Sequence, residues 1–128
     1  MEAPLKVFYL ADSDFDIDIV RRFMKTKTNW ELAHSTSESE ALKFLKEQHP
    51  DVFMFDLIIK GDAVHNLVEL AVKKNYVKTI IPLALRATPE ELRFYKALGC
   101  TEILNKPFTA EDLARVFDSF KPQSARVQ

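Results

Sequence analysis

Pro50-Asp51-Val52-Phe53-Met54-Phe55-Asp56-Leu57 is an apolar run that ends abruptly in one carboxylate. Bounded by Pro50 before it and Gly61 after it, a run of this length reads as a buried strand over 51–56. Buried strands of α/β proteins lie in parallel sheets, which hold ligands just beyond the carboxyl ends of their strands. Asp56 is therefore expected at the mouth of a crevice.

Strand and helix signals alternate on both sides of this run. Residues 6–11, with Val7, Phe8, Tyr9 and Leu10, are β-rich and apolar and read as a first strand. Residues 14–27 carry Ile17, Val20, Phe23 and Met24 at helical spacing. Asp14, Asp16 and Asp18 open that helix, where its dipole favours acids, and Lys25 and Lys27 lie near its other end. Residues 30–34 are a short second strand. Ser37-Glu38-Ser39-Glu40 is a capping box for a second helix that buries Ala41, Leu42, Phe44 and Leu45. A third helix is expected over 63–75 on Val64, Leu67, Val68 and Ala71, and a fourth strand over 79–85. Thr88-Pro89-Glu90-Glu91 starts a fourth helix with a threonine cap, a first-turn proline and a glutamate three past the cap, and Gly99 ends it. A fifth strand over 101–105 precedes a helix opened by Thr109-Ala110-Glu111-Asp112, with Leu113, Val116, Phe117 and Phe120 on its apolar face. Residues 121–128 have no apolar pattern and are expected to fray.

Five β-α pairs in succession imply one α/β domain over 1–128, with its core at about 5–120. The expected architecture is a doubly wound, parallel five-stranded sheet in order 2-1-3-4-5, with right-handed crossovers and helices on both faces. That order reverses between the first and third strands, so the crevice is lined by Asp12-Ser13-Asp14 and by Asp56. Carboxylates brought together from two loops form either a hard-cation site or a phosphoryl-transfer site.

Composition narrows the function classes. The chain is 47% hydrophobic and 29% charged with a formal net charge of −1, as is ordinary for a globular domain. No basic stripe stands out, which argues against direct nucleic-acid binding. The N-terminus has no signal-peptide pattern and no run is long enough to span a bilayer, so neither secretion nor membrane insertion is expected. A single cysteine, Cys100, excludes an internal disulfide and fits the reducing cytoplasm. With only Gly61 and Gly99, there is no Gly-rich phosphate loop.

Three motifs at strand ends resemble those of two-component response regulator receiver domains, the family of the chemotaxis protein CheY. They are Ala11-Asp12-Ser13-Asp14, Phe55-Asp56-Leu57 and Asn105-Lys106-Pro107-Phe108, and the resemblance runs from about Lys6 to Phe120. It implies a flavodoxin-like fold in which Asp56 accepts a phosphoryl group from a histidine kinase or phosphotransfer protein. It implies Mg2+ held by Asp12, Asp56 and the Ile58 backbone, with Lys106 pairing with Asp56 or its phosphate and a cis Lys106–Pro107 peptide. It also implies a cytoplasmic, bacterial signalling protein that is no enzyme beyond its own phosphorylation and dephosphorylation. Output is expected to a separate protein, since no effector domain follows the fifth helix, through the face of the fourth helix, fifth strand and fifth helix. Homodimers through helices 4 and 5, or 1 and 5, are common in such proteins.

The chain departs from the family pattern at the site itself. Ser13 stands where the second acid, the usual magnesium ligand, is expected; Asp14 either substitutes for it or merely opens the helix. In Leu83-Ala84-Leu85-Arg86-Ala87, Arg86 occupies the place of the threonine or serine that turns toward the phosphate. Thr88 is two residues too late for that role and reads as a helix cap. Ile103 replaces the switch aromatic, and Lys60 stands where the family prefers proline before the turn glycine Gly61. The usual pocket of three carboxylates and a lysine carries about −2, which a divalent cation cancels. Asp12, Asp56, Lys106 and Arg86 together sum to about zero. Opposite charges about 4 Å apart gain roughly 4 kcal/mol at an effective dielectric near 20, so an Arg86–Asp56 pair would weaken metal dependence. The same guanidinium is equally suited to grip a phosphoryl group on Asp56 through two parallel hydrogen bonds. The residues leave both outcomes open.

Other notable residues have plainer readings. Cys100 fits a small buried hydrophobe. His34, His49 and His65 share no metal-ligand spacing. Phe94, Tyr95, Phe117 and Phe120 read as core, with some members available to a partner surface. Three functions compete: a phospho-switch, a pseudo-receiver that keeps the fold as an interaction module, and a flavodoxin-like ligand binder or small enzyme. The third lacks a phosphate loop, a nucleophile–base pair and a metal-ligand motif.

Overall fold

Parallel strands buried on both faces need no polar alternation; the described residues form five parallel strands, of which the three inner ones are buried almost throughout. In the computed structural model, which describes residues 4–25, 30–57, 63–100 and 103–117, these are β1 (Leu5–Leu10), β2 (Trp30–Ser35), β3 (Val52–Asp56), β4 (Thr79–Ala84) and β5 (Leu104–Asn105). All pair in parallel, in the order β2-β1-β3-β4-β5. Helices α1 (Asp14–Met24), α2 (Glu38–Gln48), α3 (Ala63–Lys73), α4 (Pro89–Ala97) and α5 (Ala110–Phe117) alternate with them. This is the expected doubly wound topology.

Successive strand residues point to opposite faces, which divides the core into two layers. Val7, Tyr9, Val52, Met54, Ile81 and Leu83 pack with Ile17, Val20 and Phe23 of α1 and Leu113 and Val116 of α5. Phe8, Leu10, Phe53, Phe55 and Ile80 pack with residues of α2, α3 and α4, among them Leu45, Val68 and Tyr95. Aromatic pairs run through this second layer: Phe8 stacks on Phe44 at 4.7 Å, and Phe55 lies 5.4 Å from Tyr95.

Caps set the helix starts. Ser13 and Ser37 accept from backbone N–H groups three residues on, at Asp16 and Glu40. Thr88 forms the full reciprocal box with Glu91, and Thr109 forms one with Asp112. The box expected at Ser37 is only half made, because the Glu40 carboxylate accepts instead from the Ser35 hydroxyl.

Several elements are shorter than their apolar patterns, although β2 runs one residue further than expected, to Ser35. α1 ends at Met24 rather than 27, and α3 at Lys73 rather than 75. Asn75 turns the chain with a φ of 59°, and His49 closes α2 with a φ of 45°, left-handed settings that side chains adopt at a cost. β4 stops at Ala84, and Leu85 is largely exposed. The expected start of the fifth strand at Thr101, the loop residues Ile58, Lys60 and Gly61, the helical position Phe120 and the tail 121–128 lie outside the described residues. No helix among the described residues is long and apolar enough to cross a membrane.

Candidate functional site

The order of the sheet reverses beside β1 and β3, and the carboxyl ends of these strands bring Asp12 and Asp56 together. Asp56 closes β3 opposite Leu83 of β4 and faces the same layer as Met54, because side chains two apart share a face. It is the one buried charged or polar residue among the described residues, with no exposed surface. Three donors surround it. The Tyr9 hydroxyl donates to Oδ1 at 2.8 Å, the Asp12 backbone N–H donates to Oδ2 at 2.7 Å, and Lys106 Nζ lies 3.3 Å from Oδ1. Lys106 follows β5, where its own N–H donates to the Ala84 carbonyl at 2.8 Å, and its peptide bond to Pro107 is cis. The ammonium also donates to Asp16 Oδ2 at 3.0 Å, so one cation bridges two carboxylates.

Electrostatics here is a contest between burial and pairing. Burial pushes the Asp56 carboxyl above the usual carboxylate range, because the charged form loses its water. The Asp12 N–H, the Tyr9 hydroxyl and the Lys106 charge each act to lower it, and the nearby Asp16 raises it further. Tyr9 is held above its ordinary range first by burial and then by the negative charge of Asp56, so its hydroxyl stays a donor.

Other expected site residues fall elsewhere. Asp14 is exposed in the first turn of α1 and has no part in the cluster. Ser13 Oγ is committed to the start of α1, accepting from the Asp16 N–H at 3.4 Å and lying 3.3 Å from Asp16 Oδ2. Arg86 is exposed, and among the described residues its guanidinium has no hydrogen-bond or ion-pair partner. The pair with Asp56 is therefore not formed: Leu83 is the β4 residue in register with Asp56, and Arg86 lies two residues beyond the end of the strand. Lys106 makes the ion pair with Asp56 that the resemblance implied for it.

Two members of the site were not expected. Tyr9 lay within an apolar run and read as one more buried residue; its parity with Ala11 and its place beside β3 are the signals that would have found it. Asp16 read only as a helix-start acid, although its spacing of three from the capping Ser13 carries it back toward the cap. Among the described residues no group of three His, Cys, Asp or Glu side chains is arranged to hold a metal ion. Both Asp56 oxygens are engaged by hydrogen-bond donors and Ser13 serves as a cap, so these donors are a poor fit to a six-oxygen magnesium shell.

A cavity of about 340 Å³ opens next to the cluster, lined by Asp12, Asp16 and Lys106 together with Phe15, Leu85 and Phe108. Phe15 and Leu85 are 72% and 66% exposed, an apolar rim around a charged floor. A second polar group joins α3 to α4. His65 Nδ1 bonds the hydroxyl of buried Tyr95, and His65 Nε2 lies 4.0 Å from Glu91 Oε2. Cys100 is half-buried against the same layer.

Solved structures share this architecture. The chain superposes on a CheY-like response regulator receiver domain from Methanospirillum hungatei with a TM-score of 0.82 and 17% identity, covering 91% of this chain and 93% of that one. It matches the chemotaxis protein CheY4 of Vibrio cholerae at a TM-score of 0.81 and 24% identity, over 91% and 98% of the two chains. A response regulator from Thermotoga maritima matches at a TM-score of 0.79 and 17% identity, over 91% and 96%. No family model and no curated protein matches the sequence. The chain thus has the CheY-like receiver fold.

Proposed function

We propose that this chain works as a receiver-type phosphoacceptor in two-component signalling, with Asp56 taking a phosphoryl group from a histidine kinase or phosphotransfer protein. The observation that carries this reading is the gathering of Asp12, Asp56 and Lys106 at the carboxyl ends of β1, β3 and β5, with the Lys106 ammonium 3.3 Å from Asp56 Oδ1. In the transfer, a carboxylate oxygen of Asp56 bonds to phosphorus, the bond from phosphorus to the donor breaks, and the donor leaves with the electron pair. The product is an acyl phosphate. Negative charge is spread over the phosphoryl oxygens, and Lys106 stands where it offsets that charge. The apolar rim of Phe15 and Leu85 suits a protein as donor. On this reading the chain acts in the cytoplasm and passes its signal to a separate protein through α4, β5 and α5, or through a homodimer.

Acetyl phosphate tests the reading. Incubated with it and magnesium, the wild-type protein is expected to gain one phosphoryl mass, and Asp56→Asn to gain none. A specific observation favours a second reading, the pseudo-receiver: Asp56 has no exposed surface and both its oxygens are occupied. Absence of any mass gain in the wild type would select it.

Magnesium binding is expected to be weak, because Ser13 contributes no carboxylate. Ser13→Asp keeps a good capping residue and adds a hard ligand, so it should tighten magnesium binding by about tenfold or more, given how strongly ligand charge tunes such sites. Isothermal titration of both proteins checks this; equal affinities would show that position 13 does not limit the site.

A further inference from the structure

Tyr9 lies on a face of the sheet that also carries Val7, Val52, Met54, Ile81 and Leu83 and, at the end of β3, Asp56. Packing alone asks for an aliphatic side chain there. Among the described residues, the hydroxyl it carries instead reaches a single partner, Asp56 Oδ1, at 2.8 Å. With Asp12 N–H on the other oxygen, the carboxylate is anchored from inside the sheet and has no exposed surface. A nucleophile in that setting does not meet a phosphorus atom; the carboxylate must first turn outward, and turning breaks the bond to Tyr9. Lys106, 3.3 Å from the same oxygen, lines the crevice, so its attraction acts on the crevice side of the carboxylate, opposite to that of Tyr9.

We infer that Tyr9 is a positioning residue that holds Asp56 turned into the sheet and thereby slows its phosphorylation. This rests on the phosphoacceptor reading above. Tyr9→Phe keeps the ring in the layer and removes only the hydroxyl. A hydrogen bond to a charged group is strong enough that its loss is expected to speed the acceptor by about tenfold or more. Nothing else in the transfer changes: the Asp56 oxygen bonds to phosphorus, and acetate leaves acetyl phosphate with the electron pair of the broken bond.

Two measurements on the full chain decide the matter. Intact mass is followed over time with acetyl phosphate and magnesium for wild type, Tyr9→Phe and Tyr9→Phe combined with Asp56→Asn. The expected result is a faster gain in Tyr9→Phe than in wild type, and none in the double variant. Separately, proton NMR of the wild type is expected to show a slowly exchanging tyrosine hydroxyl signal that disappears in Tyr9→Phe and in Asp56→Ala. A Tyr9→Phe protein phosphorylated no faster than wild type overturns the role of Tyr9 while leaving Asp56 as acceptor. Absence of phosphorylation in wild type and Tyr9→Phe alike overturns the acceptor reading and this inference with it. Should Tyr9→Phe fail to fold, the wild-type hydroxyl signal decides: its presence and loss in Asp56→Ala support the inference, and its absence overturns it.

Discussion

Replacing Lys106 with methionine is expected to destabilise the fold by about 2–4 kcal/mol at neutral pH and by far less in acid. Lys106 is the ammonium between Asp56 and Asp16, and its removal leaves a fully buried carboxylate without a cation. Breaking such a pair is expensive because the remaining charge is desolvated and unpaired; the cost here is trimmed because the Lys106 side chain is partly exposed. The sign of the pH dependence follows from the direction of the Asp56 shift. Burial raises this carboxyl, and Lys106 partly restrains the rise. A carboxyl raised in the folded state contributes stability in its protonated form. That contribution is complete below the unfolded value and is lost as pH rises through the folded value. Without Lys106 the folded value moves still higher and the loss is larger. The gap between wild type and Lys106→Met is thus small below the unfolded value and widens as pH rises. Urea unfolding of both proteins across acid to neutral pH measures it. A gap independent of pH would show that Lys106 contributes through packing and not through charge.

Tyr95→Ala is expected to cost about 3–5 kcal/mol, the range for removing a large buried aromatic. Tyr95 is fully buried and packs against Phe94 at 4.9 Å, Phe55 at 5.4 Å and His65 at 5.5 Å between ring centres. Against a total of about 5–15 kcal/mol for a domain, this loss is large. Tyr95→Phe separates ring from hydroxyl. It keeps the packing and forfeits the bond to His65, for about 1 kcal/mol. The hydroxyl stays protonated throughout, since burial and the Glu91 charge both push it above the ordinary tyrosine range. Thermal unfolding of the two variants gives the comparison. Equal losses would mean that the clasp between α3 and α4, and not the aromatic layer, is what Tyr95 supplies.

The fold was legible because its strands advertise themselves. Val52-Phe53-Met54-Phe55 has no polar break, as a strand covered on both faces should not, and Ser37, Thr88 and Thr109 stand at three helix starts. Boundaries were less legible. Leu85 continues an apolar pattern that the sheet does not, since the chain leaves β4 at Ala84. At the site, the meeting of Asp12 and Asp56 followed from strand order, whereas the place of Lys106 beside them came only from the resemblance to receiver domains. Arg86 stayed open in the sequence because a position past a strand end has no fixed heading, and here the side chain is exposed and makes no pair with Asp56. Tyr9 and Asp16 were illegible for a different reason: each owes its role to a side-chain tip reaching across the fold, Tyr9 to β3 and Asp16 to the residue after β5. Composition and periodicity describe where a residue sits and not what its far end touches.

Phe55 and Asp56 are neighbours in the chain yet live in different rooms. One leans on the Tyr95 ring and the other takes the Tyr9 hydroxyl, with the sheet as the wall between them. They are hinged on a single rigid peptide plane. A backbone displacement at the end of β3 would be felt on both sides of the wall at once, by the carboxylate and its hydroxyl partner on one and by the paired rings on the other.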